Sequence, residues 1–303
     1  MSPQAFILPA DHIDIKRWDD CIRRSANGLI YSTTAYLQAM ADNWHGVVID
    51  DYRAVMAIPW RMKFGLRYAC TPAFIQQLGL VGDFTEQDLK AVVRTLPDFV
   101  RFADIHFNFL NSSVAQWPNI HTRTNFVIRL DDGYETISHR YRKDLQENLK
   151  RSGADHLTIT AGNIEDAVSL FHSGYASRFS HITSEDFSDF LALCEQFHAK
   201  RQCIVRQITG TKGICAIALL LTDNKRIYNL MNTSTAEGRK SNANEYLLNE
   251  VIKEFSEQPL LFDFEGSDIP GVKAYYSKFG AENQPYFHYR YNGLPWPLKL
   301  LKR

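Results

Sequence analysis

The sequence of 303 residues has no net charge, because its 34 Lys and Arg residues equal its 34 Asp and Glu residues in number. A chain without net charge has no overall field for holding nucleic acid or an anionic membrane, so either partner would need a local patch. Its five cysteines are scattered and form no C-x-x-C pair, which argues against a disulfide framework and a zinc site. His172, His181 and His198 have no acidic or cysteine neighbour at ligand spacing. We therefore predict no DNA partner and no metal site.

Long apolar runs are also missing. No uninterrupted apolar stretch approaches the length of about 20 residues that crosses a bilayer. The first ten residues, 1–10, lack the basic segment and the long apolar run of a signal peptide. We therefore expect no transmembrane segment and a cytoplasmic location. The G-x-S-x-G, Walker and Rossmann fingerprints are absent as well, so none of those three catalytic or nucleotide-binding classes is predicted.

The patterns that are present favour the α/β class, with mixed (α+β) sheets. Two stretches repeat one order of predicted elements, namely a hairpin, a strand, a helix and two further strands. The segments are 46–58, 67–70, 86–95, 103–109 and 125–130 in the first stretch, and 204–221, 227–231, 244–255, 260–264 and 286–291 in the second. The repeat predicts two similar domains, 1–130 and 131–303, packed together without a low-complexity linker.

Helical sequence lies between the two sets of strands. We predict helices over 134–152, 164–179 and 184–201, with the helix after Ser184 starting at an N-cap followed by acidic residues. The first of these helices is basic, and its charge could hold a phosphate-bearing substrate by charge-assisted hydrogen bonds, with Arg142 and Lys143 as the predicted acceptor-binding residues. The alternative is an ordinary solvated helix face, because Asp144 and Glu147 lie on the same helix.

The polar segment from Ala236 to Asn244 is the first candidate site. It connects a predicted strand to a helix N-terminus, where free backbone N–H groups and the helix dipole favour a phosphate or carboxylate. Arg239 and Lys240 add positive charge, and Ser241, Asn242 and Asn244 add polar side chains. The alternative is an exposed β–α turn with an Asn or Ser N-cap.

The second candidate site follows the buried strand 260–264. Asp263, Glu265, Ser267 and Asp268 place carboxylates and a hydroxyl directly after apolar residues, where they suit acceptance of a proton or binding of an amine. The alternative is a loop in which Asp and Ser bond to nearby backbone amides.

Several segments resemble the FemAB-like branch of the GNAT acyltransferase superfamily, and together they span nearly the whole chain. The segments are Gly28–Thr33, Phe74–Gly79, the basic helix Tyr141–Ser152, Phe262–Ser267, Pro270–Gly280 and the aromatic strand Tyr286–Tyr291. The resemblance implies two tandem GNAT-like domains, which would explain the repeated order of elements.

The resemblance implies transfer of an acyl or aminoacyl group to an amine. Family members take the group from acyl-CoA or aminoacyl-tRNA, and the peptidoglycan enzymes use a cell-wall precursor as acceptor. The resemblance thus implies a donor and an acceptor as substrates but no permanently bound cofactor. A tRNA donor is not favoured, because 164–201 makes only two ordinary helices instead of the long helical-hairpin arm of some peptidoglycan members. The neutral composition points the same way, towards a small or carrier-linked donor.

The family motifs also assign roles to residues. The CoA-binding R/Q-x-x-G-x-G/A loop corresponds to Arg239–Asn244, which has Asn242 and Asn244 at both small-residue positions. The F-K-x-x-F-G motif corresponds to Tyr275–Gly280, which has Tyr276 in place of the lysine. The resemblance implies the following roles: donor binding by Arg239, Lys240, Ser241, Asn242 and Asn244, proton acceptance by Glu265, and donation to the oxyanion by Ser267, Tyr276 or Lys278. A second hypothesis is a non-catalytic module with the same fold that binds a peptide, glycan precursor or protein.

Overall fold

The computed structural model describes residues 5–154, 157–175, 182–266 and 268–302. The chain divides into two compact units, one comprising Met1–Arg123 with Pro285–Arg303 and the other Thr124–Gln284. The division differs from the predicted domains 1–130 and 131–303. Residues 124–130 belong to the second unit, and residues 285–303 return to the first.

The strands and helices are numbered here in chain order. The strands are β1 Ala5–Pro9, β2 Trp44–Ile49, β3 Ala54–Lys63, β4 Leu66–Cys70, β5 Val81–Gly82, β6 Phe102–Phe107, β7 Ile120–Arg123, β8 Phe126–Arg129, β9 Thr158–Ala161, β10 Cys203–Gly210, β11 Gly213–Thr222, β12 Arg226–Ser234, β13 Leu261–Asp263, β14 Glu282–Asn283 and β15 Tyr286–Asn292. The α-helices are α1 Ile15–Arg24, α2 Thr34–Met40, α3 Glu86–Phe99, α4 Tyr134–His139, α5 Lys143–Ala154, α6 Ile164–Tyr175, α7 Ser184–Ala199, α8 Ala236–Lys240, α9 Ala243–Phe255 and α10 Pro270–Ser277.

The first unit is built on a sheet with the strand order β1-β2-β3-β4-β6-β15-β7, and β5 pairs with β3. Helix α3 packs on one face of this sheet through Leu89 and Val92, which are fully buried. The helix begins at a capping box, in which Thr85 accepts from the backbone of Asp88 while the Asp88 carboxylate accepts from Thr85. The predicted helix 86–95 is therefore confirmed, with one further turn.

The second unit is built on a sheet with the strand order β14-β8-β13-β12-β11-β10-β9. Strands β12 and β13 pair in parallel, whereas the other neighbours in this sheet are antiparallel. Helices α5 and α9 cover one face, and Leu145, Leu247 and Val251 are fully buried there with the apolar residues of β11 and β13. This unit contains both predicted sites.

Strands β8 and β15 are exchanged relative to the predicted repeat. The repeat assigns β8 to the first copy and β15 to the second, but β8 lies between β13 and β14 and β15 lies between β6 and β7. Alternation of apolar residues identifies a strand and its buried face, but it does not specify the sheet that the strand joins. The order of elements in the repeat is therefore right for local structure and wrong for these two pairings.

The predicted helix over 134–152 is interrupted between α4 and α5. The backbone N–H of Arg142 donates to the carbonyl of Lys278 (2.8 Å) instead of continuing the helix. The side chain of Tyr141 is buried against Phe279, with 5.5 Å between ring centroids. Burial of this aromatic ring requires the chain to turn here, which explains the break. In the part of the chain that the structure describes, no helix is long and apolar enough to cross a membrane.

Candidate functional site

The central feature of the second unit is the place where β12 and β13 separate. Their parallel pairing covers only the first three residues of β12 and ends at Tyr228 and Asp263. The next residue after β13, Phe264, donates its backbone N–H to Phe126 on the β8 side, while β12 continues to Ser234 paired with β11 but no longer with β13. Beyond Tyr228, the edge of β12 on the side of β13 is therefore not paired with another described strand, and we call the space between the two separating strands the groove.

A β-bulge lies in β12 at the start of this groove. Asn229 pairs with Leu220 of β11, and Met231 pairs with the adjacent residue Leu219. Leu230, between them, therefore has no residue opposite it in β11. A bulge leaves its extra residue outside the ladder and redirects the local backbone groups. The bulge at Leu230 thus lies directly after the point where β12 and β13 separate.

Unpaired side-chain amides line the same part of the unit. Asn229 is 3% exposed, and neither its Nδ2 nor its Oδ1 has a hydrogen-bond partner. Nδ2 of Asn232 and Oδ1 of Asn244 are also buried and unpaired. A buried polar group without a partner is unfavourable by about 1–3 kcal/mol, so these atoms are suited to hydrogen bonds with a ligand. Of the three residues, the sequence reasoning identified only Asn244. The signal for the others is an Asn among the apolar residues of 227–231 and a second Asn directly after them.

The predicted donor loop is largely helical. Thr235 caps α8 by accepting from the backbone N–H of Gly238 (3.1 Å), and the chain turns only at Ser241 and Asn242, where Asn242 has φ +53°. Gly238 packs directly on β11, because a Cβ atom there would lie 1.9 Å from the carbonyl oxygen of Cys215. The positively polarised helix end that follows this segment belongs to α9, which begins at Ala243.

Two small clefts lie on either side of α8. One of about 320 Å³ contains Lys240, Ser241 and Lys212, together with the acidic Glu237. The other, of about 200 Å³, contains Arg239, whose guanidinium donates to the carbonyl of Ser234 (2.8 Å). The structure thus brings the predicted donor residues to one end of β11 and β12, next to the groove.

The segment that carries Glu265 is held by several hydrogen bonds. The backbone N–H of Glu265 donates to Oδ1 of Asp263 (3.0 Å), and Oδ2 of Asp263 accepts from the guanidinium of Arg226 (2.7 Å). Gly266 donates to the side chain of Asn125 (2.7 Å). Glu265 itself has φ +56° and is half-buried directly after the point of strand separation. Ser267, the neighbouring candidate, lies outside the described residues.

The Arg226–Asp263 pair is almost entirely buried, with side chains 3% and 2% exposed. Burial has the largest single effect and lowers the pKa of Arg226, but the charge and hydrogen bond of Asp263, together with Tyr228 and Asp223, outweigh burial and raise it. A second nitrogen of Arg226 donates to Gln284 (2.7 Å), so the pair is well hydrogen-bonded. Asp263, which the sequence placed in the catalytic segment, thus acts in positioning Glu265.

Tyr276 and Lys278 lie on and just after α10. The ring of Tyr276 packs against Phe264, with 4.8 Å between centroids. The ammonium of Lys278 lies 3.1 Å from both Asp144 and Glu245. Burial lowers the pKa of Lys278, but hydrogen bonds to the two carboxylates outweigh burial and raise it. The oxyanion role of these two residues stays a prediction, and the structure gives Lys278 a second role as an ion-pair partner.

The predicted acceptor-binding residues lie at the start of α5. The side chains of Arg142 and Lys143 are exposed, and the backbone of Arg142 is bonded to Lys278. Exposure fits both the acceptor-binding prediction and the solvated-face alternative. Among the described residues, no cluster of His, Cys, Asp and Glu is arranged to hold a metal ion.

Comparison with solved structures identifies the fold. The chain is similar to FemX, with a TM-score of 0.68 at 11% identity over 99% of both chains. It is also similar to the C-terminal DUF2156 domain of a putative lysylphosphatidylglycerol synthetase from Agrobacterium fabrum, with a TM-score of 0.57 at 16% identity over 95% of this chain and 94% of that chain. A tandem GNAT protein from the clavulanic acid biosynthesis pathway matches with a TM-score of 0.52 at 13% identity over 96% of this chain and 99% of that chain.

Neither a protein-family model nor a curated protein sequence matches the chain. The likeness to these structures is one of fold, and it covers nearly the whole length. The chain therefore has the tandem GNAT-like α/β fold of the FemAB-like type that its sequence predicts.

Proposed function

We propose that this chain is an N-acyltransferase, which moves an acyl or aminoacyl group from an activated donor to an amine. The observation that carries the proposal is the groove where β12 and β13 separate, with its bulge at Leu230 and its buried, unpaired Asn229. The structural likeness to FemX and to a tandem GNAT protein agrees with a transferase of this class.

The groove has the features that an extended acyl donor needs. A donor molecule that contains amide groups can form hydrogen bonds with the free backbone edge of β12, in the same way as an additional strand would. A backbone N–H at the Leu230 bulge is the donor that we assign to the acyl oxygen, where negative charge develops during attack. The start of α9, with Lys240 and Arg239 nearby, is suited to phosphates of the donor. An acyl-CoA fits this combination better than aminoacyl-tRNA, which would need a broad basic surface.

In the proposed reaction, the amine nitrogen attacks the acyl carbon and forms a C–N bond. The C–S bond of a thioester donor, or the C–O bond of an ester, then breaks and the thiol or hydroxyl leaves. Glu265 receives the proton that the amine loses, directly or through a water molecule. The backbone N–H groups of Glu265 and Gly266 donate to the side chains of Asp263 and Asn125, and these bonds hold the backbone that carries the carboxylate. We propose a cell-envelope precursor as the amine acceptor and a cytoplasmic location.

The proposal is tested by thermal unfolding with CoA, acetyl-CoA, longer acyl-CoAs and inorganic phosphate, each at two salt concentrations. A ligand that binds only the folded chain raises Tm by mass action, and 100-fold excess over Kd stabilises by about 2.7 kcal/mol. We expect a shift with an acyl-CoA that phosphate does not reproduce. If only charged tRNA raises Tm, and does so with strong salt dependence, the donor is aminoacyl-tRNA. If no activated donor binds, the transferase proposal is wrong.

A non-catalytic binding module is the second candidate. The observation that favours it is the pairing of Lys278 with Asp144 and Glu245, which directs its donors away from an oxyanion role. Release of free thiol from an acyl-CoA in the presence of small primary amines distinguishes the two candidates. Binding without any release of thiol would favour the module.

A further inference from the structure

Four large apolar side chains are exposed in two segments of the first unit. Trp296 is 80% exposed and Phe64 is 75% exposed, the two highest values among the exposed large apolar side chains of the described residues. Met62 and Leu300 are 54% and 47% exposed. Single exposed apolar residues are common, but a group of them marks an interaction surface.

Backbone hydrogen bonds place the two segments at the same end of the sheet. The N–H of Arg101 donates to the carbonyl of Arg67 (2.9 Å), and the N–H of Gly293 donates to the carbonyl of Arg101 (2.9 Å). The first bond ties Arg67, next to the tip of the β3–β4 hairpin, to the start of β6, and the second ties the start of β6 to the end of β15. The hairpin tip and the segment after Gly293 therefore leave the same end of the sheet, on either side of β6.

The charge of these segments has one sign. Residues 54–82 and 283–303 contain seven Lys and Arg residues and no Asp or Glu, although the whole chain is neutral. Lys63 and Lys299 are exposed beside Phe64 and Leu300. Among the nearby acidic residues, Asp42 pairs with Arg61, Asp98 lies on α3 and Asp104 pairs with His288. The two segments thus combine apolar and basic side chains and contain no acidic residue of their own, although Asp42 pairs with Arg61.

Phe64 occupies a backbone position that does not suit it. Phe64 and Gly65 have φ values of +52° and +71°, and they connect Lys63 and Leu66, the last pair of the hairpin. Positive φ at both central positions defines the type I′ turn, for which Asn-Gly is the preferred sequence. A bulky residue at positive φ is unfavourable. The turn itself therefore does not explain why an aromatic residue is present at the tip.

We propose that this end of the first unit, formed by residues 61–67 and 294–302, binds to the surface of an anionic lipid bilayer. Exposed Trp, Phe, Met and Leu insert at the interface, and the Lys and Arg residues bind the negative headgroups. A second copy of the chain would bring like charges together in a two-fold contact, which is unfavourable. Nucleic acid would pair with the charge but leave Met62 and Leu300 in water.

The test uses the full chain and sedimentation of sucrose-loaded vesicles made of phosphatidylcholine alone, or with about one third phosphatidylglycerol as the anionic lipid. The variants are Phe64→Asn and Trp296→Ser, which alter exposed side chains and leave both sites of the second unit intact. Phe6→Ser is the matched control, because Phe6 is 53% exposed on β1, at the far edge of the same sheet. Phe64→Asn also creates the preferred Asn-Gly turn, so it is expected to retain the wild-type Tm.

We expect the wild-type chain to bind the anionic vesicles, with weaker binding at higher salt, and to bind neutral vesicles poorly. The variant with both Phe64→Asn and Trp296→Ser is expected to bind the anionic vesicles on the order of tenfold more weakly, whereas Phe6→Ser retains wild-type binding. Failure of the wild-type chain to bind anionic vesicles overturns the proposal. Equal loss in Phe6→Ser also overturns it, as does concentration-dependent dimerisation that Trp296→Ser abolishes. Salt-sensitive binding to nucleic acid without binding to vesicles would assign the surface to that partner instead.

Discussion

The ammonium of Lys278 lies 3.1 Å from Oε1 of Glu245, in the first turn of α9. The Glu245 side chain is only 7% exposed, and its second oxygen accepts from the amide of Asn148 on α5 (2.7 Å). Asp144 on α5 is the other partner of Lys278, and this ammonium holds the pKa of the Asp144 carboxyl below its usual range. One cation thus connects the end of α10 to both α5 and α9.

Replacement of Lys278 by Met is expected to lower the free energy of unfolding by about 2 kcal/mol, because the Glu245 carboxylate loses its cation in a nearly dry site. The double variant with Glu245→Met should recover much of this loss, since no unpaired charge remains. Urea unfolding measures both. If the double variant is stable and keeps full turnover, Lys278 has a structural role and is not an oxyanion donor.

Asn229→Leu is expected to stabilise the chain and to weaken donor binding. The substitution removes two buried, unpaired polar atoms, so we expect the free energy of unfolding to rise by about 1 kcal/mol. The affinity for an amide-bearing donor such as CoA should fall about tenfold through the lost hydrogen bonds.

Asn249→Leu is the matched control for this variant. Asn249 is also buried, but its oxygen accepts from the hydroxyl of Tyr134 (2.7 Å) and its amide donates to Glu250 (3.0 Å). Its replacement should therefore lower stability. A lower Tm for Asn229→Leu as well would mean that Asn229 has a structural partner, and our assignment of it to the ligand would be incorrect.

Gly238→Ala tests the packing of α8 on β11. The new methyl group would lie 1.9 Å from the carbonyl oxygen of Cys215, so helix and strand must separate. We expect a lower Tm and weaker donor binding, because Arg239, Lys240 and the start of α9 move with α8. Gly271→Ala on α10 is the control, since nothing lies within 4 Å of its added methyl group. That change should be neutral or slightly stabilising in a helix.

Glu265→Gln tests the proposed proton acceptor. Gln keeps the shape of Glu but does not accept a proton, so kcat should fall by about 100-fold while donor binding is unchanged. Glu257→Gln is a close control, because Glu257 also has positive φ (+68°) and is exposed on the loop after α9. Full turnover by Glu265→Gln, measured once an acceptor is found, would remove Glu265 from the mechanism.

Acid should destabilise the first unit through His106. Burial lowers the pKa of His106 to about 4, and the neighbouring His288 shifts it in the same direction. The unfolded residue titrates near 6.5, so the unfolded state takes up a proton first as the pH falls. The free energy of unfolding should therefore fall by on the order of 2 kcal/mol as the pH is lowered from about 6.5 to about 4.

Urea midpoints between pH 4 and pH 7.5 measure this loss. In His106→Asn the side-chain amide can replace the Nδ1–H group that donates to the carbonyl of Gln76 (3.0 Å). Because this variant has no imidazole to protonate, its stability should depend less on pH between pH 4 and 6.5. His121→Asn, at an exposed position on β7, which is separated from β6 by β15, should keep the wild-type pH dependence of stability. An unchanged pH dependence in His106→Asn would show that another group causes the acid sensitivity.

Local structure was largely predictable from the sequence. The capping residue Thr85 and the spacing of Leu89 and Val92 predicted α3, and the apolar runs on either side of Gly210–Gly213 predicted the β10–β11 hairpin. These features depend on neighbours within a few residues. The break at Tyr141 was missed because it depends on Phe279, which is far away in sequence.

The candidate site was only partly predictable for the same reason. The sequence points to Glu265 and to Arg239–Asn244, because turns and helix starts carry recognisable residues. The groove itself arises because β13 stops pairing with β12 after Asp263 while Phe264 bonds to β8. Asn229 lies directly after this separation and is buried without a hydrogen-bond partner. No local sequence pattern predicts the separation of the two strands.

The sequence by itself determined most of the elements and their order, since periodicity, caps and turns are local properties of the chain, and its resemblance to the FemAB-like family implied the tandem GNAT-like fold. Only the tertiary structure decided that β8 and β15 join the sheets they do, that Lys278 pairs with Glu245, and that β12 has a free edge. Strand partners and buried ion pairs depend on packing between distant segments, whose free energies no short window of sequence contains.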